Sequence, residues 1–161
     1  MAPKITYDVL EAQQHCRRKA YFRICGEVGV KSDFEKLAFS ARQELRPKAI
    51  AKIRRRYTEG ELGMEVYLSI PVLREGIPFI LNAHIEDDHN SIRIDGLKRV
   101  DGASPLGDFH YVPVMFSDAR RAQKSERLLL AMLAVVLSRV QGHCHAGSRL
   151  SKARRRHIQG A

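Results

Sequence analysis

The sequence predicts a mixed α/β fold, an α+β sandwich in which a mixed sheet of about four strands is flanked by helices. Three observations predict it. Apolar residues recur at near-helical spacing over residues 7–57, and they alternate with a period of two over residues 64–85. A nearly continuous apolar run over residues 128–137 then predicts a buried helix.

The first helix is predicted over residues 7–25. Thr6 is placed as its N-cap, and Asp8 lies in the first turn, where a negative charge is favourable. Val9, Cys16 and Ala20 mark the buried side, and the outer side is basic.

A second helix opens at Ser32 with a capping-box pattern completed by Glu35. Pro47 should kink or restart it, because proline lacks the backbone N–H donor. Its buried side is marked by Phe34, Leu37, Ala41 and Leu45. Residues 42–56 contain seven bases and one acid, Glu44, which is either a solvated face or an anion-binding surface.

Three antiparallel strands are predicted next, over residues 64–72, 77–85 and 92–100. Hairpin turns are predicted at residues 74–76 and 87–90. A fourth strand is predicted over residues 109–116, where Pro113 favours an edge position or a bulge.

The last helix is predicted from Glu126 to Gln141, capped by Ser125 and ended by Gly142. Because apolar residues cover almost every face, we expect it to be buried by other elements. The domain is predicted to span residues 1–147, and residues 148–161 form a basic C-terminal tail.

Composition narrows the classes of partner. The 161 residues include 28 Lys and Arg against 18 Asp and Glu, a formal net charge of +10. That excess favours an anionic partner, and nucleic acid is the commonest one for a basic domain. Since the longest apolar run is too short to span a bilayer and no signal-peptide pattern opens the chain, we expect a cytoplasmic protein without a membrane partner.

Asp95 is the candidate site residue that stands out, a lone acid on a predicted strand beside Gly96. Such a carboxylate can hold a hard cation such as Mg²⁺. It can also simply end a strand and shape a turn, and both interpretations stay open on the residues alone.

Two stretches resemble the RecB-like nucleases of the PD-(D/E)XK superfamily. They are ITYDVLEAQQHCRRKAYFR near the N-terminus, and RIDGLKRVDGASPLGDFHYVPVMF followed by KSERLLLAMLAVVLSRVQG. The resemblance covers residues 5 to 147. It implies a restriction-endonuclease-like core and cleavage of DNA phosphodiesters with Mg²⁺ or Mn²⁺, which polarises the phosphate and activates a water.

Carried over by position, the resemblance implies Asp95 and Glu44 as metal ligands, with Lys98 or Lys124 in place of the usual lysine. The D/E-x-K pair would fall on residues 111–114, where the sequence has neither an acid nor a lysine. In a second alignment Glu86 or Asp87 supplies the first acid, and a bulge at Gly96 makes residues 95–98 a stretched acid–lysine pair.

The cysteines bear on a further family feature. Some related exonucleases hold an iron–sulfur cluster with four cysteines, and this sequence has three, so a cluster within one chain is not expected. His143-Cys144-His145 is expected to be a polar loop, because adjacent residues rarely reach one metal ion together.

Two functions follow. The first is a metal-dependent DNA nuclease, and the alternative is a catalytically degenerate or truncated relative that binds nucleic acid through its basic helices. The residues predicted to contact phosphates are Arg17, Arg18, Lys48, Lys52, Arg55 and Arg56.

Overall fold

The computed structural model describes residues 3–27, 29–117 and 123–142. Its centre is a mixed sheet of five strands in the order β2-β3-β4, with β1 and β5 both pairing with β4 along the edge away from β3. The strands are β1 (Ile5–Thr6), β2 (Leu62–Met64), β3 (Phe79–Glu86), β4 (Asn90–Ser104) and β5 (Gly107–Val114). The α+β class with a mixed sheet is confirmed, with one strand more than the four predicted.

The N-terminal segment forms two helices, α1 (Tyr7–His15) and α2 (Arg17–Ile24), where one was predicted. The chain is extended at Cys16, which separates them and is exposed rather than buried. Thr6 is confirmed as the N-cap, since its hydroxyl oxygen accepts a hydrogen bond from the backbone N–H of Val9.

Helix α3 (Asp33–Arg54) begins with the predicted capping box of Ser32 and Glu35. It runs through Pro47 without a new start, contrary to the predicted restart. The chain is anchored on both sides of the proline, by Arg46 in an ion pair and by the buried Ile53, and these contacts outweigh the loss of one backbone hydrogen bond.

The predicted buried side of α3 is wrong in its N-terminal half. Phe34 and Leu37 are 77% and 70% exposed, and Ala41 is exposed as well. Contact with the sheet starts at Leu45, because the first turns of α3 extend past the sheet.

The predicted strand over residues 64–72 ends at Met64. Glu65 adopts a positive φ of 53°, and Ile70–Arg74 forms the short helix α4 with Pro71 near its start. Strand β2 pairs parallel to β3, so the predicted antiparallel pair and the hairpin at residues 74–76 are both wrong. The alternating apolar residues of this segment were compatible with one strand, but a five-residue helix interrupts them.

Strands β3, β4 and β5 form the antiparallel meander that follows. The turn at residues 87–90 is confirmed, because the Asp87 carboxylate accepts hydrogen bonds from the backbone N–H groups of His89 and Asn90. Pro113 lies in β5, an edge strand, as its missing donor predicted.

Helix α5 (Lys124–Val140) is capped by Gln123 rather than Ser125, with Glu126 completing a capping box. Only one stripe of it is buried: Leu129, Leu133 and Leu137. The expectation of burial on almost every face is therefore wrong. Gly142 follows the helix with a positive φ of 80°, the left-handed conformation that glycine adopts readily.

Two apolar clusters fill the two faces of the sheet. One contains the α5 stripe together with Leu73, Ile80 and Ile94, and the other joins Ile53 of α3 to residues of β3 and to Phe116. None of the helices within the described ranges has the length and apolar character needed to cross a bilayer. The predicted basic tail and residues 143–145 lie outside the described residues.

Candidate functional site

Asp95 lies at the centre of a polar network between α3 and the sheet. One carboxylate oxygen accepts a hydrogen bond at 2.6 Å from Nη1 of Arg46, and the other accepts one at 3.1 Å from the backbone N–H of Phe116. The second guanidinium nitrogen of Arg46 donates to the side-chain oxygen of Asn82. The side chains of Arg46 and Asp95 are 19% and 13% exposed, so this ion pair is largely removed from water.

Local backbone geometry explains how Asn82 joins the network. Leu81 pairs with Gly96 and Ala83 pairs with Ile94, which places Asn82 opposite Asp95. Asn82 has a φ of 52°, a left-handed conformation that asparagine tolerates better than most residues. The alternation of β3 breaks there, since Ile80 and Ala83 pack in the same apolar cluster.

Gly96, next to Asp95, is required for packing. A Cβ atom at this position would lie 2.8 Å from the ring of Phe79, which is closer than real contacts allow. The pairing of β3 with β4 continues through Gly96 without a shift, so the bulge of the second alignment is not present.

A second polar group lies beside the first, on α1 and α3. Arg42 donates to the Tyr7 hydroxyl at 2.8 Å and pairs with Glu11 at 3.3 Å, while the Tyr7 hydroxyl donates to the sulfur of Met115 at 3.5 Å. Burial raises the pKa of Tyr7 above its usual value of 10, although Arg42 acts in the opposite direction. The Tyr7 hydroxyl therefore stays protonated and serves as a fixed hydrogen-bond donor.

The cation that pairs with Asp95 in this network is the side chain of Arg46. The two carboxylate oxygens of Asp95 already accept hydrogen bonds, and the positive charge beside them is the guanidinium of Arg46. A Mg²⁺ ion bound to Asp95 would compete with that guanidinium for the carboxylate oxygens. Within the described ranges, no three His, Cys, Asp or Glu side chains come together as a possible metal site.

The other predicted catalytic residues lie apart from Asp95. Glu44 is exposed, and it is two residues away from Arg46 on α3, which places it on the opposite side of the helix. Lys98 is three residues along β4 from Asp95, a separation of about 10 Å. Lys124 is exposed at the first turn of α5. The structure does not bring these side chains together with Asp95.

The acids of the second alignment have other partners. Glu86 pairs with Lys4 at the end of β3, and Asp87 closes the following turn. In the strand register Glu86 is opposite Ser91. Because Ser91 is four residues from Asp95, Glu86 and Asp95 are separated by about 13 Å along β4.

The segment after β5, rather than residues 111–114, reaches Asp95. Phe116 donates its backbone N–H to the carboxylate, and its neighbours are Met115 and Ser117. Ser117 donates to Glu126 at 2.6 Å. Within the described part of this segment, which ends at Ser117, there is no acid–x–lysine pair beside Asp95, and the sequence has none at residues 111–114.

The basic residues form two groups at opposite ends of α3. Lys48, Arg55 and Arg56 are exposed near its C-terminal end, and within the described residues none of the three has an ion-pair partner. Lys52 of the same end is half-buried and has other contacts. This cluster of Lys48, Lys52, Arg55 and Arg56 is called the C-terminal cationic cluster below.

Arg17 and Arg18 belong to the other end. They are exposed on α2, whose Lys19 pairs with Glu35 in the first turn of α3. From Glu35 to Arg55 the helix rises by about 30 Å, at 1.5 Å per residue. The six predicted phosphate contacts are therefore two groups joined by a long helix.

Sequence reasoning missed the residues that hold Asp95. Arg42 and Arg46 were counted within the basic run, yet they turn inwards to Glu11 and Asp95. Arg42 and Arg46 are four residues apart, and the buried Ile53 follows Arg46 by seven residues. All three positions share one helix face, so this spacing could have predicted that the two arginines point towards the sheet.

No protein-family model, curated protein or solved structure matches this chain.

Proposed function

We propose that this protein binds nucleic acid without cutting it, through phosphate contacts made by the C-terminal cationic cluster of α3. The observation that carries the proposal is the contrast between two sets of bases on one helix. Arg42 and Arg46 are neutralised by carboxylates, whereas Lys48, Arg55 and Arg56 are exposed without such a partner among the described residues.

The helix dipole alone accounts for only part of this cluster. Bases in the last turn of a helix interact favourably with its negative end, and Lys52 and Arg54 hold those positions. Arg55 and Arg56 follow the last helical residue and Lys48 precedes the last turn. The concentrated positive charge of Lys48, Arg55 and Arg56, which have no ion-pair partner among the described residues, is suited to a polyanion on a chain of net charge +10.

Binding of this kind depends on salt. Each phosphate neutralised on duplex DNA contributes about −0.9 to the slope of log K against log salt. Arg55→Gln should therefore make the slope less steep by about one, measured by fluorescence anisotropy of a labelled oligonucleotide over a salt series. Lys36→Gln is the matched control on the same helix, because Lys36 already pairs with Asp33 at 2.9 Å. Binding that barely changes with salt would contradict the proposal.

A metal-dependent nuclease with a restriction-endonuclease-like core is the second candidate. It is favoured by the element order, in which α3 precedes the meander β3-β4-β5 and α5 follows it, with Asp95 on the middle strand. As arranged, Asp95 and Glu44 do not fit a shared Mg²⁺ or Mn²⁺ ion, so we assign no catalytic step to such an ion.

A cytoplasmic location stays a prediction from composition.

Cleavage assays on linear duplex and single-stranded DNA with Mg²⁺ and with Mn²⁺ test this second candidate. The binder hypothesis expects complexes on a native gel and intact DNA under either metal. Metal-dependent cleavage that Asp95→Asn abolishes would decide for the nuclease.

A further inference from the structure

We propose that the nucleic acid is single-stranded, and that unpaired bases stack on aromatic side chains at the N-terminal end of α3. The inference rests on the proposed nucleic-acid binding and specifies its substrate class. The surface concerned is the groove between α2 and the start of α3, called the α2–α3 groove below, together with the Phe39 ring, which lies beside the groove residue Lys31.

The α2–α3 groove has a volume of about 340 Å³, and it is lined by cations of α2 and by Lys31, which precedes α3. Two of these are already neutralised: Lys19 by Glu35 and Arg23 by Asp8, at 3.8 Å. Arg18 and Lys31 have no carboxylate partner among the described residues. The two bases leave positive charge available for the phosphates of a strand that enters the groove.

Each of these two bases lies over an aromatic ring. The Arg18 guanidinium is 5.5 Å from the centre of the Phe22 ring, and the Lys31 ammonium is 4.4 Å from the centre of the Phe39 ring. Phe39 is 52% exposed, so its ring is accessible to a ligand. Exposed rings beside cations are the combination that binds single strands, because each base offers a face for stacking and each phosphate a negative charge.

Duplex nucleic acid does not offer these contacts. Its bases are stacked on one another and paired, so an aromatic ring on the protein surface meets only the backbone or the groove edges. The C-terminal cationic cluster can contact the phosphates of either form. Discrimination between single strand and duplex is therefore assigned to the α2–α3 groove, about 30 Å away along α3.

The chain offers a matched pair of variants for the test. Phe39 and Phe34 are exposed phenylalanines on the same helix, but they point in different directions because they are five residues apart. Phe34 is 77% exposed, and among the described residues no cation lies over its ring. Both Phe39→Ala and Phe34→Ala should fold, since both side chains are largely in water and alanine favours helix.

The measurement is the dissociation constant of each protein for a labelled oligothymidine and for a duplex of equal length, at one low salt concentration. Loss of one stacked base costs about 1–3 kcal/mol, so Phe39→Ala should weaken single-strand binding about 5- to 150-fold and leave duplex binding unchanged. Phe34→Ala should change neither.

Two failures are distinguishable. If the unmodified protein binds neither oligonucleotide, the proposed function itself is wrong. If it binds in a salt-dependent way but Phe39→Ala has no effect on the single strand, or Phe34→Ala has the same effect, then nucleic-acid binding stands and the assignment of stacking to the α2–α3 groove is overturned.

Discussion

Removing the guanidinium of Arg46 is the perturbation that tests the structure most directly. Arg46→Met keeps most of the side-chain length while it removes the charge that pairs with Asp95 at 2.6 Å. Asp95, a side chain only 13% exposed, would then keep the Phe116 backbone N–H as its remaining hydrogen-bond donor among the described residues. The expected result is a large loss of folding free energy, because an uncompensated charge would stay largely buried.

The magnitude follows from the burial of the pair. Unit charges about 4 Å apart near a protein surface interact by about 4 kcal/mol, and breaking a fully buried pair costs about 3–5 kcal/mol. Since both side chains keep some contact with water, we expect Arg46→Met to lower the free energy of unfolding by about 2–4 kcal/mol. Urea denaturation followed by circular dichroism measures this value.

Two controls make the result specific to the ion pair. Arg55→Met removes the same group from an exposed position of the same segment and should change stability by less than about 0.5 kcal/mol. In a double-mutant cycle, Arg46→Met and Asp95→Asn together should cost less than the sum of the single changes, with a coupling energy above about 1 kcal/mol. Equal, small effects of Arg46→Met and Arg55→Met would refute the placement of Arg46.

Three further predictions concern the core, the capping box and the chemistry. Leu133→Ala should cost about 2–5 kcal/mol by urea denaturation, whereas Leu128→Ala, at a site that is 51% exposed, should cost far less. The hydrogen bond from Lys19, with the Ser32 backbone N–H, lowers the pKa of Glu35 from 4.5 to about 2, so its stabilising contribution is present above pH 4.5 and is lost as the pH falls towards 2. The difference in melting temperature between the unmodified protein and Glu35→Gln should shrink over that range, and a constant difference would count against it. Asp95→Asn should leave the slope of DNA affinity against salt unchanged, because the exposed bases make the phosphate contacts, and a changed slope in gel-shift titrations of the folded variant would count against that assignment.

Local signals predicted the ends of several elements correctly. The N-cap at Thr6 and the capping box of Ser32 depend on side chains a few residues from the groups they bind. The edge position of Pro113 follows from a missing donor, which is a property of the residue itself.

Predictions failed where distant contacts decide the structure. The alternation over residues 64–72 satisfies a strand pattern, yet only Leu62–Met64 pairs with β3 and Ile70–Arg74 turns into a helix. Apolar spacing on α3 predicted burial of Phe34 and Leu37, but no element of the described chain covers that part of the helix. A periodic pattern predicts that one face of an element is apolar, but it does not predict which other element packs against that face.

The same limit applies to the candidate site. Asp95 was identified from its isolation on a strand, and the structure confirms that it lies on a strand, β4. Its partner could not be assigned, because Arg46 is 49 residues away and lies within a run of exposed bases. Pairing an inward-facing arginine with a strand acid requires knowledge of which helix crosses which strand.

The identity of the cation beside Asp95 connects the structure to the choice between the two functions. A nuclease requires a divalent ion there, and the guanidinium of Arg46 holds both the position and the charge. A binder requires only that Asp95 be neutralised and that α3 be fixed on the sheet, so that its exposed ends face the nucleic acid. The ion pair meets both conditions, since it joins α3 to β4 at a position between the α2–α3 groove and the C-terminal cationic cluster. Arg46→Met should lower the free energy of unfolding under either function, so the assay that separates the candidates is cleavage: metal-dependent cleavage by the unmodified protein or by this variant would decide for the nuclease.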